Sequence, residues 1–103
     1  DETLVIVMGE MGRTPKVNAR AGHDHWSYLH NILLTGAGVK HGYVHGSSDD
    51  KAQRPESNPV TPADFLATVY AAMGIDPTAL IEDAGGRLRP ITPDGRPIRE
   101  ILA

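Results

Sequence analysis

The sequence contains no cysteine, which excludes disulfides, thiolate metal sites and a cysteine nucleophile. Aromatic side chains make up only 5% of it, with one Trp, one Phe and three Tyr, so a core must come from Leu, Ile, Val, Ala and Met. A basic excess is also missing. Ten Lys and Arg stand against thirteen Asp and Glu, giving a net charge of −3 and a pI near 5.9. That balance argues against nucleic acid as a partner, because a phosphate backbone wants a basic face. No apolar run approaches the roughly 20 residues that a helix needs to cross a bilayer, so no membrane partner is expected. What is present is a chain of 103 residues, 40% hydrophobic, suited to one small unit with a shallow core. Eleven Gly and eight Pro are scattered along it and mark many loops.

Two aliphatic runs stand out. Leu4-Val5-Ile6-Val7-Met8 closes at Gly9, and Asn31-Ile32-Leu33-Leu34-Thr35 closes at Gly36-Ala37-Gly38. Neither alternates with polar residues, so both read as strands buried on two faces, the pattern of a parallel sheet covered by helices. The first run follows Asp1-Glu2 almost at once, which reads as a cut before an internal strand and the chain as a fragment. Gly42 to Gly46 reads as a short edge strand and Ser47 to Asn58 as a polar surface loop. Thr61, Pro62 and Asp64 form a helix start, and Phe65, Leu66, Val69 and Met73 recur at helical spacing before Gly74. The spacing predicts a helix over Pro62 to Met73. Pro93-Asp94-Gly95 predicts a turn between two extended pieces of a small terminal hairpin, with a short helix at Arg99 to Leu102. The expected class is α/β.

Between the two runs lies Glu10 to Tyr28, long for a loop and rich in polar residues. Ligands of open α/β sheets bind beyond the carboxyl ends of the strands, so chemistry is expected here. A carboxylate at Glu10 is costly there unless it is coordinated or paired, and Arg13 is the obvious pairing partner. The Arg13 fork suits an ester oxyanion as well as a carboxylate. His23-Asp24-His25 is the densest cluster of potential ligands. In an extended segment the two imidazoles point to one side, and with a carboxylate they suit Zn²⁺, although many H-x-H pairs are surface features. Asp24 either orients the His25 imidazole or caps the following turn. Trp26 reads as core, His30 as packing against the second strand, His41 and His45 as surface loop residues, and Asp49-Asp50-Lys51 as a solvated turn. Thr35 to Gly38 lacks both glycine-rich phosphate-binding motifs.

The order of these features resembles the C-terminal part of sulfatases and their relatives in the alkaline phosphatase superfamily. Thr3 to Gly12 is similar to that group's strand ending in an acidic ligand, Leu33 to Val39 to its later strand and glycine turn, and Thr61 to Ile75 to its helix. Closer still, Gly9-Glu10-Met11-Gly12-Arg13-Thr14-Pro15 and Asp24-His25-Trp26 resemble the G-E-F-G-R-T-P and D-H-W motifs of the sulfatase-like DUF1501 family, with Met11 for the usual Phe. The resemblance spans nearly the whole chain. It implies that residues 1–103 are the C-terminal part of a sulfatase-like domain, a mixed and largely parallel sheet with flanking helices and a small terminal hairpin. It further implies a phosphate or sulfate ester as small-molecule substrate, a divalent metal (Zn, Ca or Mg), and an upstream part of the same protein that carries the nucleophile. Glu10 falls at the family's metal-binding Asp, so Glu10, His23, Asp24 and His25 become the expected metal ligands, with His25 and Arg13 the expected catalytic contacts. Met11 occupies a second ligand position, and a thioether is a poor ligand for hard cations. The resemblance implies export from the cell, and a fragment inactive alone. The alternative is a non-catalytic relative serving binding or assembly.

Overall fold

A computed structural model describes residues 2–103; Asp1, on which the reading of an internal cut rests, lies outside the described residues. The first aliphatic run forms β1 (Leu4–Val7). Short strands β2 (Gly12–Arg13) and β3 (His25–Trp26) follow, and the second run forms β4 (Leu33–Gly36). After these come β5 (Ser47–Ser48), β6 (Pro55–Ser57), the helix α1 (Pro62–Ala72), β7 (Leu80–Glu82), β8 (Leu88–Pro90) and a 3₁₀ turn at Arg99–Ile101. The strands pair two by two, β1 with β4, β2 with β3, β5 with β6 and β7 with β8. The last three pairs are antiparallel.

The expected α/β class, a largely parallel sheet with flanking helices, is therefore not what the chain forms. Parallel strands need a crossover of a dozen or more residues, usually helical. The stretch between β1 and β4 instead holds β2, β3 and turns, and α1 is the one α-helix among the described residues. One face of each strand is exposed, with Val5, Val7 and Leu33 at 46%, 60% and 56%. The aliphatic runs are strands, but they are half-solvated. Gly42 to Gly46 forms no strand, and the expected polar loop after it contains the β5–β6 hairpin. The terminal hairpin is β7–β8, closed by the Asp83 to Arg87 turn, while Pro93-Asp94-Gly95 forms the expected turn, Gly95 N donating to Thr92 O, without joining two strands.

The chain divides into two units. The first joins residues 2–4 to Thr35–Tyr43 and Val60–Ala103. Here the helix forms as its sequence directs. The Thr61 hydroxyl accepts from Asp64 N, and the Asp64 carboxylate accepts from Thr61 N in return. Gly74 ends the helix with φ +77°, a left-handed conformation that costs glycine little. Ala67, Val39 and Pro77 are the buried apolar residues, beside the buried threonines Thr68 and Thr92. Thr68 Oγ1 donates to Asp64 O at 2.6 Å and accepts from Ile98 N at 2.9 Å, fastening the C-terminal tail to the helix.

The second unit comprises Val5–Leu34 and Val44–Pro59. Gly12 is its fully buried residue, and it is ordered by hydrogen bonds more than by apolar packing. Fifteen large apolar side chains are exposed among the described residues. The accessible surface of 7779 Å² exceeds the roughly 5,700 Å² that mass scaling gives for a folded 11.1 kDa monomer. The uncovered area is thus a property of both units. Among the described residues no helix is long and apolar enough to cross a membrane.

Candidate functional site

The two motif segments are separated by the loop of residues 16–23 and meet in the second unit. β2 and β3 pair with Gly12 opposite Trp26 and Arg13 opposite His25. Thr14 N donates to Asp24 O at 2.9 Å, so the next pair along is hydrogen-bonded and the Arg13–His25 pair is of the non-bonded kind. Side chains at such positions share a face and stand closest across the ladder. Arg13 and His25 are both exposed.

Glu10 sits in a bend before β2, exposed to solvent. Among the described residues the ion pairs are those of Arg87 and Arg89 with Asp83, so Glu10 and Arg13 do not pair with each other. The carboxylate and the guanidinium are both left for other partners.

The 14–24 loop is closed by two side chains. Asn18 Oδ1 accepts from Arg20 N and Gly22 N, and Asn18 Nδ2 donates to Asp24 Oδ1 at 3.1 Å. Thr14 Oγ1 accepts from Asp24 N, and the Thr14 carbonyl is bonded to His23 Nδ1. A carbonyl only accepts, so Nδ1 carries the proton in this contact, which leaves Nε2 as the ring nitrogen for other partners. Asp24 is engaged by Asn18 and makes no hydrogen bond to His25.

A cleft of about 310 Å³ opens beside Arg13, lined by Gly12, Arg13, Pro15, Leu29, His30, Asn31 and Ala52. Gly12 makes it possible. A Cβ there would lie 1.9 Å from Leu29 O and 2.9 Å from Trp26 O, so only glycine lets the 26–29 turn press against β2 and deliver residues 29–31 beside Arg13. The far wall is the tip of the β5–β6 hairpin. Asp49 shapes that tip, its Oδ1 accepting from Gln53 N at 2.8 Å and its carbonyl from Ala52 N at 3.1 Å. Trp26 Nε1 donates to Gln53 O at 2.7 Å, and the Arg54 guanidinium lies 4.0 Å from the Tyr28 ring centroid. Trp26 and Tyr28 pack edge to face at 4.9 Å. These contacts tie the tip to the strand that carries His25.

Sequence reasoning did not find His30 and Asn31. His30 was expected to pack against the second strand, yet it is exposed and lines the cleft. The available signal was two polar residues at the mouth of an aliphatic run, shortly after the D-H-W motif and separated from it by Ser27-Tyr28-Leu29. Asn18 carries no signal of its own, and its role follows from the loop's closure.

Glu10, His23 Nε2, the free Asp24 oxygen and His25 are nitrogen and oxygen donors of the kind that bind Zn²⁺ or a harder divalent cation. However, no three His, Asp or Glu side chains gather into a group that could hold a metal among the described residues. The Arg13 charge facing His25 also disfavours a cation at that imidazole. As arranged here, the donors do not fit a complete metal site.

The family profile described as a protein of unknown function (DUF1501) matches residues 1–102. No curated protein and no solved structure matches the chain.

Proposed function

This chain belongs to the DUF1501 family, and from that premise we propose that it is the C-terminal portion of a metal-dependent hydrolase of phosphate or sulfate esters, similar to sulfatases and other members of the alkaline phosphatase superfamily. The observation that carries the proposal is the β2–β3 register, which sets an unpaired arginine opposite a histidine at the edge of a cleft. Arg13 offers a planar fork of N–H donors to an ester oxyanion, and His25 lies beside it to donate or accept a proton. A divalent metal, held mainly by ligands from outside these residues with Glu10 as the contact from this chain, would supply charge neutralisation to the transferred group.

The test is made on the full-length protein with aryl sulfate and aryl phosphate esters. Arg13→Gln and His25→Ala are each expected to lower turnover about 10²-fold, the usual loss when one oxyanion donor is removed. Glu10→Gln is expected to lower metal content. Unchanged turnover and metal content in all three variants would remove the proposal.

A second reading, a non-catalytic relative that binds an anionic partner, is favoured by Met11 in a ligand position and by the absence of a three-donor group among the described residues. Full-length protein that binds no metal and hydrolyses neither ester would establish it.

A further inference from the structure

We infer that the cleft between β2 and residues 29–31 is a binding site for a tetrahedral oxyanion, sulfate or phosphate, held by Arg13, His30 and Asn31 without any metal ion. The inference rests on the reading of Arg13 as an oxyanion contact and extends it to two residues outside both family motifs.

Charge is the first argument. The chain carries a net charge of −3, yet the cleft is lined by one permanent cation and by no carboxylate. Arg13 forms no ion pair there. A guanidinium without an ion-pair partner in an acidic protein is a site that attracts anions. Donor count is the second. The guanidinium brings five N–H groups, the Asn31 amide two, and the His30 ring at least one. A tetrahedral oxyanion is recognised by several donors arranged around it, and a monovalent halide has no use for that geometry. Surroundings are the third. Pro15, Leu29 and Ala52 complete the wall of this open cleft with apolar atoms that shape it around the donors. A space of about 310 Å³ corresponds to about ten water molecules at their liquid volume. It therefore holds the oxyanion with room for a compact group attached to it.

The walls of this cleft are fixed in ways that suit binding. The close approach at Gly12 holds residues 29–31 against β2. Ala52 sits at φ +52°, a conformation unfavourable for a residue with a Cβ, and the Asp49 hydrogen bonds hold it there.

The experiment is an NMR titration of the isotopically labelled protein with sodium sulfate, sodium phosphate, sodium acetate and sodium chloride at constant ionic strength and pH, with EDTA present throughout. Saturable shifts of the Arg13 Nε–H, the His30 ring and the Asn31 side-chain amide with sulfate, phosphate or both are expected, and which of the two binds tighter names the ester class. Arg13→Gln should weaken binding at least about tenfold, the loss expected for charge-assisted hydrogen bonds, and Asn31→Ala should weaken it by a smaller factor. Arg20→Gln removes the same charge from outside the cleft and should leave affinity unchanged. Absence of saturation, equal shifts with chloride or acetate, or equal weakening by Arg20→Gln would each overturn the inference. The amide spectrum of each variant reports whether it is folded, and Arg13→Lys serves as the milder second substitution. Oxyanion binding without ester hydrolysis by the full-length protein leaves this site standing and removes the hydrolase reading. Hydrolysis without saturable binding at these three residues does the reverse.

Discussion

The two glycines of the G-E-M-G segment are predicted to differ sharply when each is replaced by alanine. At Gly9 a new Cβ would meet Met11 O at 3.5 Å, an ordinary contact. At Gly12 it would fall 1.9 Å from Leu29 O, with Trp26 O at 2.9 Å and Leu29 C at 3.0 Å. An unstrained carbon–oxygen approach is about 3.3 Å, so the Leu29 carbonyl must retreat by more than about 1 Å. All the obstructing atoms are backbone, so no side-chain rotation relieves the clash. The expected cost of Gly12→Ala is about 2–3 kcal/mol, toward the upper part of the range for overpacking. With a urea slope of about 1–3 kcal/mol per molar, the unfolding midpoint should fall by roughly 1–2 M. Replacing glycine also restricts the unfolded chain, a gain of about 0.4–1 kcal/mol that is common to both variants and cancels when they are compared. A 1 Å retreat of Leu29 carries His30 and Asn31 with it, which lengthens their hydrogen bonds past useful range. Sulfate or phosphate affinity should therefore fall at least about tenfold in Gly12→Ala and hold in Gly9→Ala. The assays are urea unfolding followed by Trp26 fluorescence and the anion titration described above. Equal midpoints and equal affinities in the two variants would refute the close approach at Gly12 as the determinant of the cleft.

Thr68→Val keeps the shape of a residue only 1% exposed but leaves Ile98 N without its acceptor, a loss of about 1–3 kcal/mol. Amide exchange at Ile98 should accelerate in that variant and stay slow in Thr68→Ser; equal protection in all three proteins would contradict the clasp. The Asp64 carboxyl is held below the usual carboxylate range, first by donation from Arg96 N and then by Thr61. Its contribution to stability is therefore complete above the unfolded value of 3.8 and is lost as pH falls through the lower folded value. Asp64→Asn should show a smaller drop in urea midpoint between pH 5 and pH 2 than the unaltered protein, and parallel curves would refute this. Asp76 and Asp83 are also lowered, but they are present in both proteins and drop out of the comparison. Trp26→Phe removes the indole donor to Gln53 O, at a cost of about 0.5–1.5 kcal/mol. Proteolysis in the 49–54 tip should quicken while the first unit is unaffected, and an unchanged rate at the tip would argue against the tether.

The helix was the most legible element because all its instructions are local. Thr61, Pro62 and Asp64 start it and Gly74 stops it whatever surrounds them, and the structure ends it within one residue of the position the spacing predicts. The motif segments were legible for a different reason: glycine, charged and imidazole residues in fixed order are rare enough to identify a family. The strand partners were not legible. An aliphatic run such as Leu4 to Val7 reads the same whether helices cover its two faces or one face meets water, and only the rest of the fold decides between them. The hairpin also escaped, because Pro93-Asp94-Gly95 and the Asp83 to Arg87 turn are both good turn sequences. Pairing of Leu80 with Pro90 selects the second.

By itself, then, the sequence determined the helix, the turns that glycine and proline allow, a net acidic character, and membership of a family through two separated motifs. Only the tertiary structure decided that those motifs pair strand to strand, with Arg13 opposite His25, not ion-paired with Glu10 and lining one cleft with His30 and Asn31. The physical reason is range. Capping and turn preferences act over three or four residues, whereas the cleft depends on contacts between Gly12 and Leu29 and between Trp26 and Gln53, which no local pattern encodes.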